Sequence, residues 1–196
     1  MKNIGTFIHL IFPMFFIISC HKEPIPPIPE QELITTLKLT LTDTVFPYPE
    51  QTFVFRDIDG DGGFDPTIDS LIIPAGKVYN ARLLLLDERN FPSDTSTNEI
   101  KVLNTVHQFF YQSTPADLIT DFVYLDFDDN GKPLGNLFSF ATKITPSTGK
   151  LLITLRHEPN KNGLNVSNND ITNAGGETDI QVDFPEIGRA SCRERV

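Results

Sequence analysis

From residue 32 onward, apolar and polar positions alternate. In "LKLTLT", Leu37, Leu39 and Leu41 fall on one face and Lys38, Thr40 and Thr42 on the other, the period-two signature of a half-buried strand. "QTFVFRD" (51–57) and "SLIIPAG" (70–76) follow. "KVYNARLLLLDE" (77–88) is long and apolar enough for a central strand. "VHQFFYQS" (106–113), "ITDFVYLDFDD" (119–129), "PLGNLFSFAT" (133–142), "KLLITLRHE" (150–158) and "TDIQVDFP" (178–185) bring the set to about nine strands. The one helix candidate is "STNEIKVLNTV" (96–106), with Ser96 or Thr97 as cap and Glu99 near the third helical position. Strands at this spacing without intervening helices predict an all-β domain over 32–187, an antiparallel β-sandwich of Ig-like or similar type. There is no 20–50-residue repeat and no sign of a second domain.

The first 31 residues follow other rules. Lys2 supplies a positive start, and "IGTFIHLIFPMFFII" is an apolar stretch too short and too early for a bilayer-spanning anchor. Residues 1–19 therefore read as a signal peptide. It ends on "IISC", which resembles the lipobox of bacterial lipoproteins and implies cleavage before Cys20 and lipidation of that residue. Several acyl chains anchor far more firmly than one. "HKEPIPPIPE" comes next, and its prolines favour extended polyproline II. At ~3.1 Å per residue, the 20–31 segment is a tether lifting the domain roughly 30 Å from the lipid. The expected location is the cell envelope, lipid-anchored to the outer membrane, with the periplasmic or surface face left open.

Charge narrows the partners. The chain carries 26 acidic and 16 basic residues, a net charge of −10. Phosphate backbones and anionic membrane surfaces need the opposite sign, so no nucleic-acid partner is expected. The last residues are out of character: "GRASCRERV" places Arg189, Arg193 and Arg195 at the end of an acidic chain, without hydrophobic period. Residues 188–196 read as a non-native tail. With Cys20 lipidated, Cys192 has no partner and no disulfide is expected.

The densest chemistry lies in "DIDGDGGFDPTID". Asp57, Asp59 and Asp61 occupy positions 1, 3 and 5 of an EF-hand loop, with Gly62 at position 6. Position 12, however, is Ile68 rather than glutamate, and "TFVFR" before it reads as strand. The choice is between a β-loop calcium site closed by Asp65 or Asp69 and a solvated turn of capping aspartates and positive-φ glycines. A weaker echo, Asp126, Asp128 and Asn130 in "DFDDNGKPLG", competes with a hairpin turn at Asn-Gly. The polar stretch 157–179 is long enough to carry ligand contacts, with Asp170, Glu177 and Asp179 as cation candidates, or else it is a mobile polar loop. His107 and His157, at strand ends, are either a zinc or base pair or ordinary core and edge histidines. GxSxG, GxxxxGK[ST] and GxGxxG are all absent, so no catalytic residue is assigned and no enzyme is expected. Calcium is the one cofactor expected.

Taken together, "EQELITTLKLTLT", "RDIDGDGG", "YNARLLLLDE", "HQFFY", "LDFDDNGKPLG" and "LRHEPNKNGLNVSNNDITNAGGETDIQVDFP" resemble a family of small, uncharacterised lipoproteins of Bacteroidota. Members are sometimes labelled "type 1 periplasmic binding fold", an α/β architecture, whereas the pattern here predicts nearly all strand. The resemblance implies no activity and no catalytic residues. The expectation is an envelope binding or interaction module for an unknown protein or glycan partner. The alternatives are a hydrolase of envelope or dietary polysaccharide and a structural subunit of an outer-membrane assembly.

Overall fold

The computed structural model describes residues 33–45, 49–60, 62–89 and 91–189. Among them are ten strands: β1 (Thr36–Asp43), β2 (Gln51–Arg56), β3 (Thr67–Ile68), β4 (Leu71–Pro74), β5 (Val78–Leu86), β6 (His107–Thr114), β7 (Ile119–Tyr124), β8 (Leu137–Thr142), β9 (Thr148–His157) and β10 (Glu177–Arg189). One sheet runs β3-β2-β1-β5-β8-β7 and is antiparallel throughout. The other runs β4-β10-β9-β6, antiparallel except where β4 lies parallel to β10. The domain is an all-β sandwich, as the alternation predicts.

Leu37, Leu39 and Leu41 of β1, Leu83 and Leu85 of β5 and Phe138 and Phe140 of β8 are buried from one sheet. They share one apolar cluster with Phe109 and Tyr111 of β6, Leu151, Ile153 and Leu155 of β9 and Val182 and Phe184 of β10 from the other. Successive strand side chains point to opposite faces, so each strand gives every second residue to the core. Burying one such leucine or phenylalanine stabilises the domain by about 1.5–3 kcal/mol.

Several differences from the predicted elements have local causes. β3 is only two residues long, paired with β2 through Phe55↔Ile68 and Arg56↔Thr67, too short to show a period. β7 stops at Tyr124 and β8 begins at Leu137; the intervening chain keeps a single bridge, Phe127↔Pro133. There the backbone turns at Gly131 (φ 72°), with Gly131 N–H donating to the Asp128 carbonyl at 2.9 Å. The helix, α1 (Ser96–Val102), is followed by a 3-10 turn at Asn104–Val106. Its cap position is Thr95, without a side-chain cap bond. The Thr97 hydroxyl instead accepts from Leu85 N–H at 2.7 Å, fastening the helix to β5. β10 reaches Arg189, with Gly188 and Arg189 paired to Ile73 and Pro74 of β4, two residues past the expected boundary.

β6 departs from alternation because both of its faces are covered. Its run from His107 to Tyr111 is entirely buried. Phe110 faces away from the main core into a small cluster with Val166 and Ala174, contributed by the loop after β9. β6 is also an edge strand, and that loop closes its edge. Asn169 accepts from Tyr111 N–H at 2.9 Å and donates to the Tyr111 carbonyl at 2.7 Å, so one side-chain amide stands in for a neighbouring strand.

Candidate functional site

The ends of five strands meet at one end of the sandwich. In the first sheet, Thr36 opens β1 opposite Arg56, which closes β2. In the second, His107 opens β6 directly opposite His157, which closes β9, and Glu177 opens β10 opposite the same His157. Between them lies a cleft of about 540 Å³ lined by residues of both sheets: Ile34, Thr35, Phe55, Asp57, Asp59 and Arg89, together with residues 179–181 of β10.

The deepest chemistry is behind Asp179. The antiparallel register places the two histidines face to face, with His107 Nε2 2.9 Å from His157 Nδ1. Asp179 comes from a β-bulge: the pairing of β10 with β9 slips between Thr178 and Ile180. A bulge inserts one extra residue and re-aims its side chain, a device common beside functional sites. Here it turns Asp179 as well as Ile180 inward. The Asp179 side chain is 0% exposed, and its Oδ2 lies 3.5 Å from His107 Nε2 and 4.0 Å from His157 Nδ1. Among the described residues, these three form the only convergent group of metal-ligating side chains.

The protonation pattern follows from the neighbours. His107 Nδ1 is 3.0 Å from the Leu103 carbonyl, which can only accept, so Nδ1 carries the proton and Nε2 presents its lone pair. Burial holds the His107 imidazole below its ordinary range, against that hydrogen bond and in the same direction as the nearby His157 and Lys161. At the cleft mouth, Arg89 grips Asp87 through two nitrogens, Nε to Oδ1 at 2.8 Å and Nη2 to Oδ2 at 2.5 Å.

The sequence candidates scatter. Cys20 and Asp61 lie outside the described residues, as do the signal peptide, the tether and Cys192. Asp57 and Asp59 reach the cleft, but each also accepts a turn N–H, from Gly60 and Phe64 respectively, both at 2.9 Å. Gly60 and Gly62 have φ of 72° and 89°, conformations that favour glycine. Asp69 accepts from Val54 N–H at 2.8 Å on the β2 edge, and Asp65 is exposed. Asp126 accepts from Gly135 N–H at 2.9 Å, and burial raises its carboxyl above the ordinary range. Asp128 accepts from Asn130 and Lys132 N–H, so it organises the turn that Asn130 and Gly131 make. Asp170 caps a 3-10 turn by accepting from Thr172 N–H, Glu177 is exposed, and Asp179 alone of that trio joins the histidines.

Two participants were invisible as site residues in the sequence. Arg89 follows a strand end with no motif around it. Lys161, in "EPNKNG", looks like a solvated loop lysine. Its ammonium is buried and donates to the Asn104 carbonyl (2.7 Å), Asp128 Oδ2 (2.9 Å) and the Pro133 carbonyl (3.1 Å), locking together the loops beside the histidines. No protein-family model, no curated protein and no solved structure matches this chain.

Proposed function

We propose that this chain is a lipid-anchored cell-envelope binding module that takes a polar ligand in the cleft at the His107 end of the sandwich. The observation that carries the reading is the cleft itself: about 540 Å³, between strand ends of both sheets, within the size range of small-ligand sites. Its lining combines the carboxylates of Asp57 and Asp59, one guanidinium (Arg89) and apolar surface (Ile34, Phe55), while the Asp179 carboxylate is buried behind the wall. Hydroxyl-rich ligands need that mixture, because carboxylates and guanidinium hydrogen-bond hydroxyls while apolar walls cover ring faces. A glycan is the ligand class we favour, and no bond-breaking step is assigned to it. Envelope anchoring rests on "IISC" at 17–20 and on the proline-rich segment that follows.

The test is a titration of the protein with soluble oligosaccharides from envelope and dietary polysaccharides, followed by amide resonances. Shifts should cluster at residues 33–35, 55–60 and 179–181. Shifts confined to the opposite end of the sandwich would overturn the cleft as the binding site, and release of reducing sugar would replace the binding reading with a hydrolase.

A further inference from the structure

We propose that His107, His157 and Asp179 form a binding site for a divalent first-row transition-metal ion of the zinc class. His107 Nε2, His157 Nδ1 and Asp179 Oδ2 make a triangle with sides of 2.9, 3.5 and 4.0 Å. The point equidistant from all three lies about 2 Å from each, against about 2.0–2.1 Å for Zn–N and about 2.0–2.2 Å for Zn–O. The mean side, about 3.5 Å, matches the roughly 3.4 Å between donors of a tetrahedron with 2.1 Å bonds. Shifts of a few tenths of an ångström convert the observed triangle into three corners of that tetrahedron.

The surroundings are built for this. The Leu103 carbonyl holds the proton of His107 on Nδ1, at 3.0 Å, which leaves Nε2 as a lone pair beside His157 Nδ1 and Asp179 Oδ2. A backbone carbonyl on the far imidazole nitrogen is the usual outer support of a metal-ligating histidine. Strand register supplies the second imidazole and the β10 bulge supplies the carboxylate, so all three donors sit on adjacent strands of one sheet. With Nε2 of His107 unprotonated, the 2.9 Å contact is a hydrogen bond donated by His157 Nδ1–H, and an ion entering the site displaces that single proton to recruit both nitrogens. Two imidazoles and one carboxylate suit zinc, iron, nickel or copper rather than calcium, which takes oxygen donors. The site is thus chemically separate from the 57–69 aspartates. Three protein donors leave one tetrahedral position open. This inference does not depend on the glycan reading: loss of either leaves the other standing.

The experiment uses the detergent-purified protein, stripped with chelator and titrated with Zn²⁺ by calorimetry, with Ca²⁺ as the comparison. Imidazole resonances are followed in parallel. The expected result is one Zn²⁺ per chain, shifts at His107 and His157 but not at His21, and a melting midpoint about 5–10 °C higher at hundredfold excess over Kd. Asp179→Asn and His157→Ala should each weaken binding by at least about 100-fold, while Glu99→Gln on the exposed side of α1 leaves it unchanged. The wild-type resonances decide the matter even if a variant fails to fold. No binding, binding that moves only His21, equal affinity in the variants, or ring shifts that follow pH and ignore Zn²⁺ would each overturn the proposal.

Discussion

Removing the Lys161 ammonium should destabilise the domain more than any surface charge change. The Lys161 side chain is 6% exposed and its Asp128 partner 1%, so neither end of the pair is hydrated. Lys161→Met keeps most of the stem but strands the Asp128 carboxylate with two backbone N–H donors, from Asn130 and Lys132, and leaves the Asn104 and Pro133 carbonyls without their ammonium donor. Losing one partner of a buried pair costs about 3–5 kcal/mol. For a domain of this size, 1 kcal/mol moves Tm by about 2–4 °C, so the midpoint should fall by about 6–20 °C. Circular dichroism melts, with urea unfolding at constant m-value, measure it. Adding Asp128→Asn should recover part of the loss, because the stranded charge disappears. A drop below about 1 kcal/mol would put the pair among weak surface bridges and show the burial argument wrong. The sign with pH is also determined. Burial alone would raise the Asp128 carboxyl, but Lys161 and the Lys132 N–H outweigh it and hold it below its ordinary range. The unfolded chain therefore binds the extra proton first. The contribution is complete above the unfolded aspartate value of about 3.9 and is lost as pH falls through the folded one, so Asp128→Asn should flatten the acid limb of the stability curve.

Asn169→Ala removes both bonds to the Tyr111 backbone on the β6 edge and should cost about 2–3 kcal/mol in urea unfolding; a loss under about 0.5 kcal/mol would mean that edge needs no cover. Gly176 has φ of 70°, and a Cβ there would collide with the His157 carbonyl, so Gly176→Ala should lower Tm and broaden the His157 resonances, whereas an unchanged melt would show that the β9–β10 connection can yield. Cys20→Ala should move the protein from the membrane fraction to the soluble one, and continued membrane association would rule out the lipid anchor. Melts with and without millimolar calcium should coincide, because Asp57 and Asp59 already serve as caps for turn N–H groups; a rise in calcium that Asp59→Asn abolishes would make 57–69 a calcium loop.

What could be read from the sequence follows from how local each feature is. Leu37, Leu39 and Leu41 announce a buried strand face because alternation is set within six residues. Gly60 and Gly62 announce a tight turn for the same reason. The candidate site depends on distant relations. His107 and His157 meet only through the β6–β9 register, and sequence does not carry register across fifty residues. Asp179 reaches them through a bulge, and by alternation alone it would share a face with neither Ile180 nor Val182. The 157–179 stretch misled in another way. Its polar composition suggests a solvated loop, yet Asn169 closes an edge strand, Lys161 is buried, and Gln108 of β6 donates to the Val166 carbonyl at 3.0 Å. Side chains that hydrogen-bond water in a loop hydrogen-bond backbone equally well once the loop is packed, and composition does not distinguish the two.

Anomalous diffraction at the zinc edge from crystals of the protein grown with Zn²⁺ would examine the His107 end of the sandwich without any variant. The structure predicts one strong peak about 2.0–2.2 Å from His107 Nε2, His157 Nδ1 and Asp179 Oδ2, with the Leu103 carbonyl still bonded to His107 Nδ1. Density elsewhere on the surface, with the His107–His157 hydrogen bond intact and no metal beside Asp179, would contradict it.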